Sequence, residues 1–381
     1  MPAHDVIVIG GGIIGGSIAW ELARRGASPL LLDREARSQE SSWAAAGMLQ
    51  TAPDSAEVIP LVPLGRASLA MYPQFVADIE KDSGRKVSFR RHGAMEALFS
   101  ADAERELSTL VALHHGIGLS AEPLPVEEAL ALEPALNSGA RAAALMPDEA
   151  AVDNRALTEA VLEAAQERGA GFRGGAEVTA IEIRGGSAGK RVEGVVTRDG
   201  KRHAAKQVVL AAGCYSSRLE EARRFAPTRP VRGQMVGLRS SAPRLTRVLR
   251  STRGYISPRN DENPQWLIAG STLEHAGYEK RVTPDGLSRV LDAAQELIPG
   301  LRDAEIIETW CGLRPDTPDH LPILGPTDVE GLVIATGHYR SGILLAPITA
   351  KLISEWIAER RVSFDWEIFS PLRFADAPQS A

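Results

Sequence analysis

The chain has 381 residues, of which 44% are hydrophobic and 24% charged, with a formal net charge of −6. At roughly 100–200 residues per domain this is an ordinary globular chain of two or three domains, or two interleaved ones, with a core large enough to need no disulfide or structural metal. The acidic balance without any basic run excludes nucleic acid as an expected partner; no apolar run reaches the ~18 residues of a membrane span; and with no legible signal peptide and only two distant cysteines, Cys214 and Cys311, a reducing cytoplasmic location is expected.

Residues 5–9, Asp-Val-Ile-Val-Ile, are a short β-branched run that predicts a strand buried on both faces. Gly10-Gly11-Gly12-Ile13-Ile14-Gly15 follows and matches G-x-G-x-x-G. Ile14, Ile18 and Leu22 then recur at helical spacing until Gly26, and residues 30–32 predict a second strand that ends at Asp33. Each part has a task in this order. Gly10 permits a tight turn, Gly12 lets the backbone approach a pyrophosphate, and Gly15 lets helix and strand pack closely. The helix N-terminus presents free N–H groups to the phosphates, and the Asp33 carboxylate can accept from ribose hydroxyls. The arrangement predicts a dinucleotide site, the bland alternative being a glycine-rich turn. A second match at Gly169 to Gly174 lies between a helical stretch (157–168) and a strand (177–183), the reverse of what a phosphate loop needs, and reads as a helix-to-strand turn. Residues 185–190 match a P-loop too poorly to be kept.

Farther along, Ser41-Ser42-Trp43-Ala44-Ala45-Ala46-Gly47-Met48 reads as a small-residue loop pressed against a large cofactor. Residues 86–90 and 94–99 flank His92-Gly93 and predict a hairpin. Residues 207–213 predict a buried strand ending in a small turn at Gly213. Segments 233–240, 248–257 and 265–271 predict short strands. A helix over 284–297 is opened by Thr283 as N-cap, and 305–312 is another strand. Residues 332–337 repeat the strand-and-turn form and lead through His338-Tyr339-Arg340-Ser341-Gly342 into a helix over 343–357, whose N-terminus again offers free N–H groups. The small, polar tail from Phe374 onward is expected to fray.

The order of GGGIIG, SSWAAAGM, VVLAAG, RGYISPR, CGLRPDTPD and GHYRSGILLAP resembles the D-amino-acid oxidase (DAO) family of FAD-dependent oxidoreductases over nearly the whole chain, and within it the bacterial glycine oxidases of thiamine biosynthesis. The resemblance implies an α/β (α+β overall) fold. A discontinuous Rossmann-like FAD-binding domain would take residues 1–85, 146–230 and 313–373, an antiparallel-sheet substrate-binding domain residues 86–145 and 231–312, and a flexible tail residues 374–381. No second strand–glycine–helix unit is present, which argues against a reductase with separate FAD and NADPH folds. The expected contacts of FAD are Gly10, Gly12, Ile13, Ile14, Gly15, Asp33 and Arg34 at the first strand; Ser41, Ser42, Ala46, Gly47 and Met48 in the small-residue loop; Val178 and Gly213; and His338, Tyr339, Arg340, Ser341, Gly342, Ile343 and Leu344 near the last helix. Cys311 lies one residue from where a sarcosine-oxidase-like tether would fall, so FAD is expected to be noncovalent.

An amino-acid oxidase must grip an α-carboxylate, and an Arg fork matches its two oxygens. Arg314 in Gly-Leu-Arg-Pro is the candidate, its alternative being a structural salt bridge. Tyr255 could donate a second hydrogen bond or be a core tyrosine; Arg340 is placed by the resemblance beside substrate and flavin, or caps a carbonyl. Arg232 reads as structural, and His114, His115 and His320 as surface or turn histidines; with no metal-ligand spacing, no metal is expected. The expected reaction is oxidative deamination of glycine, also of sarcosine and small D-amino acids, by hydride transfer from Cα to flavin N5. The amine must be neutral, and no protein base is required. The products would be a 2-oxo acid, ammonia and, with molecular oxygen, hydrogen peroxide, the imine serving the thiamine thiazole ring. The resemblance implies a homo-oligomer, a tetramer in form. Two alternatives stand beside this: a D-amino-acid oxidase or dehydrogenase with a larger pocket, its size set by residues such as Met48 and Leu273, and a noncatalytic flavin-binding subunit.

Overall fold

The computed structural model describes residues 4–36, 39–53, 55–186 and 189–375. Five parallel strands form the heart of the first sheet, in the order Gly171–Arg173, Pro29–Leu32, His4–Ile9, Arg202–Leu210, Leu332–Thr336, and Ile323–Pro326 adds antiparallel to the last. Alternate side chains of a strand face opposite sides of a sheet, and here both sides are covered. Val6 and Val8 join a core with the helices Ile13–Arg24, Val62–Ser83, Asn154–Glu167 and Gly342–Glu359. Ile7 and Ile9 face a second core built with Ile181, Val192 and Val195. Those three belong to the antiparallel pair Val178–Gly186 and Gly189–Thr197, which hangs from the first half of Arg202–Leu210. The helix Gly342–Glu359 is buried on nearly every side, as its all-round apolar sequence requires.

The second sheet runs Glu305–Asp316, Arg229–Ser240, Gln265–Gly270, Gly254–Pro258, Val248–Ser251, Ala94–Leu98, Ala142–Met146, Glu122–Leu124. It is antiparallel except where Val248–Ser251 meets Ala94–Leu98 in parallel. Helix Pro284–Leu297 covers it with Val290, Ala294 and Leu297, and Thr283 caps that helix by accepting from the Gly286 amide. The strand Glu305–Asp316 ties the two sheets together, because its Pro315 carbonyl accepts from the Tyr339 amide at 2.9 Å.

Several expectations are corrected. Residues 86–90 and 94–99 do not form a hairpin: Phe89–Arg90 pairs with Ala150–Val152, and Ala94–Leu98 with Ala142–Met146. Gly93, at φ +75°, turns the chain so closely over Met146 that a Cβ would sit 2.8 Å from its carbonyl oxygen. The stretch 248–257 is two strands joined by a tight turn, and 305–312 extends to Asp316. The small-residue loop contains a short helix, Ser41–Ala44. The second glycine motif is a helix-to-strand junction, but its strand, Gly171–Arg173, lies inside the motif. His114 is buried, its Nδ1 bonded to the Leu110 carbonyl. At the end of the chain Pro371–Phe374 forms a 3-10 turn and Phe374 packs on the core, so the expected fraying does not begin there; residues 376–381 of the expected tail lie outside the described residues.

Candidate functional site

One cavity of about 450 Å³ runs between the two sheets, a size suited to a preformed ligand site, which spans ~300–1,000 Å³. Its first end is built by the N-terminal strand–helix unit. Gly10 holds φ +108°, and a Cβ there would lie 2.4 Å from the Ala211 carbonyl oxygen; one on Gly15 would lie 1.9 Å from the Gly10 carbonyl oxygen. Both glycines permit close packing, and Gly10, Gly12, Ile13 and Ile14 line the cavity. Gly12 is the N-cap of its helix with no side-chain cap, and Ser42 Oγ accepts from the Ile13 amide at 2.9 Å. Asp33 accepts from the Gly11 and Glu35 amides at 2.5 and 2.7 Å, and burial pushes its carboxyl up against those bonds. Arg34 lies 3.6 Å over the Tyr215 ring and pairs with Glu40. Val178 and Gly213 are also on this wall.

At the other end, Arg314 comes from the strand Glu305–Asp316 opposite Val231. Its guanidinium lies on Gly233, so close that a Cβ on that glycine would be 2.3–2.5 Å from three guanidinium atoms. Nη1 donates to the Thr272 carbonyl at 3.2 Å and Nη2 to Ser271 Oγ at 2.6 Å. The Tyr255 hydroxyl, from strand Gly254–Pro258, donates to Met235 Sδ at 3.3 Å. Tyr339 and Arg340 close the same space together with Ala46, Gly47 and Met48.

The helix Gly342–Glu359 starts at this end, with Ser341 as an N-cap that makes no side-chain cap bond. Its first turn is held from behind. Ser68 Oγ donates to the Leu344 carbonyl at 2.6 Å and the Tyr72 hydroxyl to the Ile343 carbonyl, both from helix Val62–Ser83. His338, fully buried, bonds Thr349 Oγ1 through Nε2 at 3.1 Å, and burial lowers its proton affinity to about 3.

A family model for FAD dependent oxidoreductases (DAO) matches residues 5–356. The chain belongs to this family. It is 32% identical to a glycine oxidase of Geobacillus kaustophilus across 97% of both chains. It is 36% identical to the bifunctional protein ThiO/ThiG of Synechocystis sp. across 97% of this chain and 54% of that one, so it spans about half the length of the bifunctional protein. The crystal structure of the glycine oxidase from Geobacillus kaustophilus is similar over 97% of this chain and 98% of that one, with a TM-score of 0.88 at 31% identity. FAD is thus the cofactor of this oxidoreductase family, and the cavity fits it. Two helix N-termini whose N-cap residues make no side-chain cap bond face the cavity, a Cβ on Gly12 would crowd Ser42 Oγ at 3.0 Å, and Glu40 Oε2 in the wall is buried with no partner among the described residues.

The sites expected in this oxidoreductase divide as follows. Gly10, Gly12, Ile13, Ile14, Asp33, Arg34, Ser41, Ser42, Ala46, Gly47, Met48, Val178, Gly213, Tyr255, Arg314, His338, Tyr339, Arg340, Gly342 and Ile343 line the one cavity. Gly15 lies behind its wall. Ser341 and Leu344 face a second cavity next to it, as does Leu273, which is exposed. Arg232 is buried in an ion pair with Glu274, in keeping with a structural role. Gly233, Met235 and Ser271 were not singled out from the sequence. The only signal for them is that Arg-Gly-Gln-Met and Gly-Ser-Thr sit in or just after expected strands of the substrate-side sheet.

Proposed function

We propose that this protein is an FAD-dependent amine oxidase that converts glycine and small D-amino acids to a 2-oxo acid, ammonia and hydrogen peroxide, and sarcosine to the same 2-oxo acid as glycine with methylamine in place of ammonia. The observation that carries this reading is a fork-shaped cation, Arg314, and a phenol, Tyr255, at one end of a cavity whose other end is the glycine-rich strand–helix unit. Gly12, Ile13 and Ile14 would hold the pyrophosphate, Asp33 the ribose, and Gly47, Met48, Gly342 and Ile343 the flavin ring. When bound, FAD supplies the electron sink, accepting a hydride from the substrate Cα at N5. Arg314 and Tyr255 would grip the carboxylate and so fix which bond of Cα faces the ring. Arg340 would flank the substrate. The first turn of Gly342–Glu359 would favour negative charge at its end of the cavity. The likeness to glycine oxidases and to ThiO/ThiG supports a role in feeding the thiazole ring of thiamine.

FAD would be held without a covalent bond. Cys311 does not line the cavity, and Cys214, which does, is buried with its thiol pushed up to about 12, which leaves too little thiolate to attack a ring. A second reading, oxidation of larger D-amino acids, draws support from the adjoining cavity of about 410 Å³.

The experiment is anaerobic bleaching of the yellow protein by glycine, sarcosine and D-alanine, then admission of air. Bleaching by glycine with rapid recolouring and peroxide is expected. Bleaching only by bulky D-amino acids, with slow recolouring, would replace glycine oxidation by the second reading. Acid precipitation should leave the yellow colour in the supernatant.

A further inference from the structure

The proposed reaction leaves one proton to be placed. An amino acid is an ammonium ion at neutral pH, and a nitrogen without a lone pair cannot assist the departure of a hydride from Cα. The second cavity bears on this, because it shares His338, Tyr339 and Arg340 with the first. His320 stands in its wall, with its side chain about one-third exposed. His320 Nδ1 is 2.6 Å from Asp316 Oδ1. Asp316 is wholly buried, and its other oxygen accepts from Arg229 Nε at 2.7 Å. A carboxylate only accepts, so Nδ1 carries the hydrogen and Nε2 the lone pair. The His320 ring lies against Tyr339, centroids 5.5 Å apart and planes at 30°, and Tyr339 lines both cavities. The backbone also holds this arrangement, since His320 sits at φ 60° and Tyr339 at φ 47°, both in the left-handed region.

The other ionisable groups around the cavity fit the task less well. His338 has Nε2 occupied by Thr349 and is too weak a base in its burial. His275 and Glu57 line the cavity without a carboxylate–imidazole pairing among the described residues, and Arg340 is a cation. Asp319, on the same turn as His320, is taken by Arg373.

We propose that His320, positioned by Asp316, is the base that takes the proton from the ammonium group of an amino acid in the second cavity, before its carboxylate reaches Arg314 in the first. This rests on the amine-oxidising reading. One N–H bond of the ammonium breaks, the proton goes to His320 Nε2, and the electron pair stays on the amine. The imidazolium is held by the Asp316 carboxylate and later releases its proton to solvent from its exposed edge. No electrons leave the substrate in this step.

The test is kcat/KM for glycine against pH between 6 and 10, by anaerobic bleaching of the holoprotein, in the wild type and in His320→Asn. Asparagine tolerates the left-handed backbone of this position. The wild type should show an acidic limb. His320→Asn should lose that limb and fall about 100-fold at pH 7. It should then climb in proportion to the neutral fraction of glycine and meet the wild type as the amine itself ionises. Binding of glycolate, which keeps the carboxylate but has no ammonium proton, should stay within about twofold in the variant, read from the flavin spectrum. Added imidazole should restore part of the rate to His320→Gly. A variant that keeps the wild-type profile, or one lowered equally at every pH, overturns the proposal. A wild type that no amino acid bleaches overturns instead the reading on which it rests.

Discussion

Gly233 carries no side chain, and its bare backbone is the seat of the Arg314 guanidinium. An arginine fork is useful only where it is aimed, and a displacement of about 1 Å costs on the order of 100-fold in an oriented reaction. Gly233→Ala should therefore raise KM for glycine by roughly 10- to 100-fold while the protein stays yellow, because the cofactor end of the cavity is untouched. An unchanged KM would show that the substrate carboxylate does not rest on Arg314. That Arg314 and Tyr255 would share one cavity was legible from residue type, motif and resemblance, since few side chains can grip a carboxylate. Gly233 was not, because its contribution is an absence that matters only once the strand Arg229–Ser240 lies beside Glu305–Asp316. The pairing of His320 with Asp316 was not legible for a similar reason. The spacing of the two is that of any turn, and only the tertiary fold buries that carboxylate and turns the ring to a cavity.

Among the elements, the helix Gly342–Glu359 points its first turn at the cavity, and two side chains of Val62–Ser83 fix that aim. Removing both hydroxyls, Ser68→Ala with Tyr72→Phe, deletes the two buried hydrogen bonds to the first-turn carbonyls at about 1 kcal/mol each, together with a longer contact from the Ile348 amide to Ser68 Oγ. The double variant should lose roughly 2 kcal/mol in urea unfolding and bind FAD more weakly in a titration of the apoprotein. Equal FAD affinity would mean that the helix is aimed by its apolar packing alone. This helix and the first strand were legible because each is a long or patterned apolar run with a glycine at the right place. The hairpin expected at residues 86–99 was not there. Two short strands flanking a glycine look alike whether they pair with each other or, as here, each finds a partner far along the chain, in Ala150–Val152 and Ala142–Met146.

For the whole molecule, the buried neutral His338 makes stability depend on pH. Its proton affinity in the fold is about 3 against 6.5 when exposed, so the unfolded chain binds the proton first as the solution is acidified. The stability is fully present above pH 6.5 and is lost as pH falls toward 3. Between pH 7 and pH 5 the loss is about 2 kcal/mol, from 6.5 − 5 = 1.5 units at ~1.36 kcal/mol each. His338→Asn should flatten the unfolding free energy by about that amount over this interval; the same slope in both proteins would assign the acid sensitivity to other groups. The interleaving of the two sheets along the chain was expected from the resemblance, because no composition shift marks where the chain passes from one to the other. That interleaving also governs how the protein is made. The cavity draws on Gly10 and on Ile343, 333 residues later (343 − 10). Synthesis at ~5–20 residues per second puts tens of seconds between them. The glycine-rich turn is synthesised first, but the cavity cannot enclose a flavin until Gly342–Glu359 has left the ribosome, so cofactor capture waits for that helix.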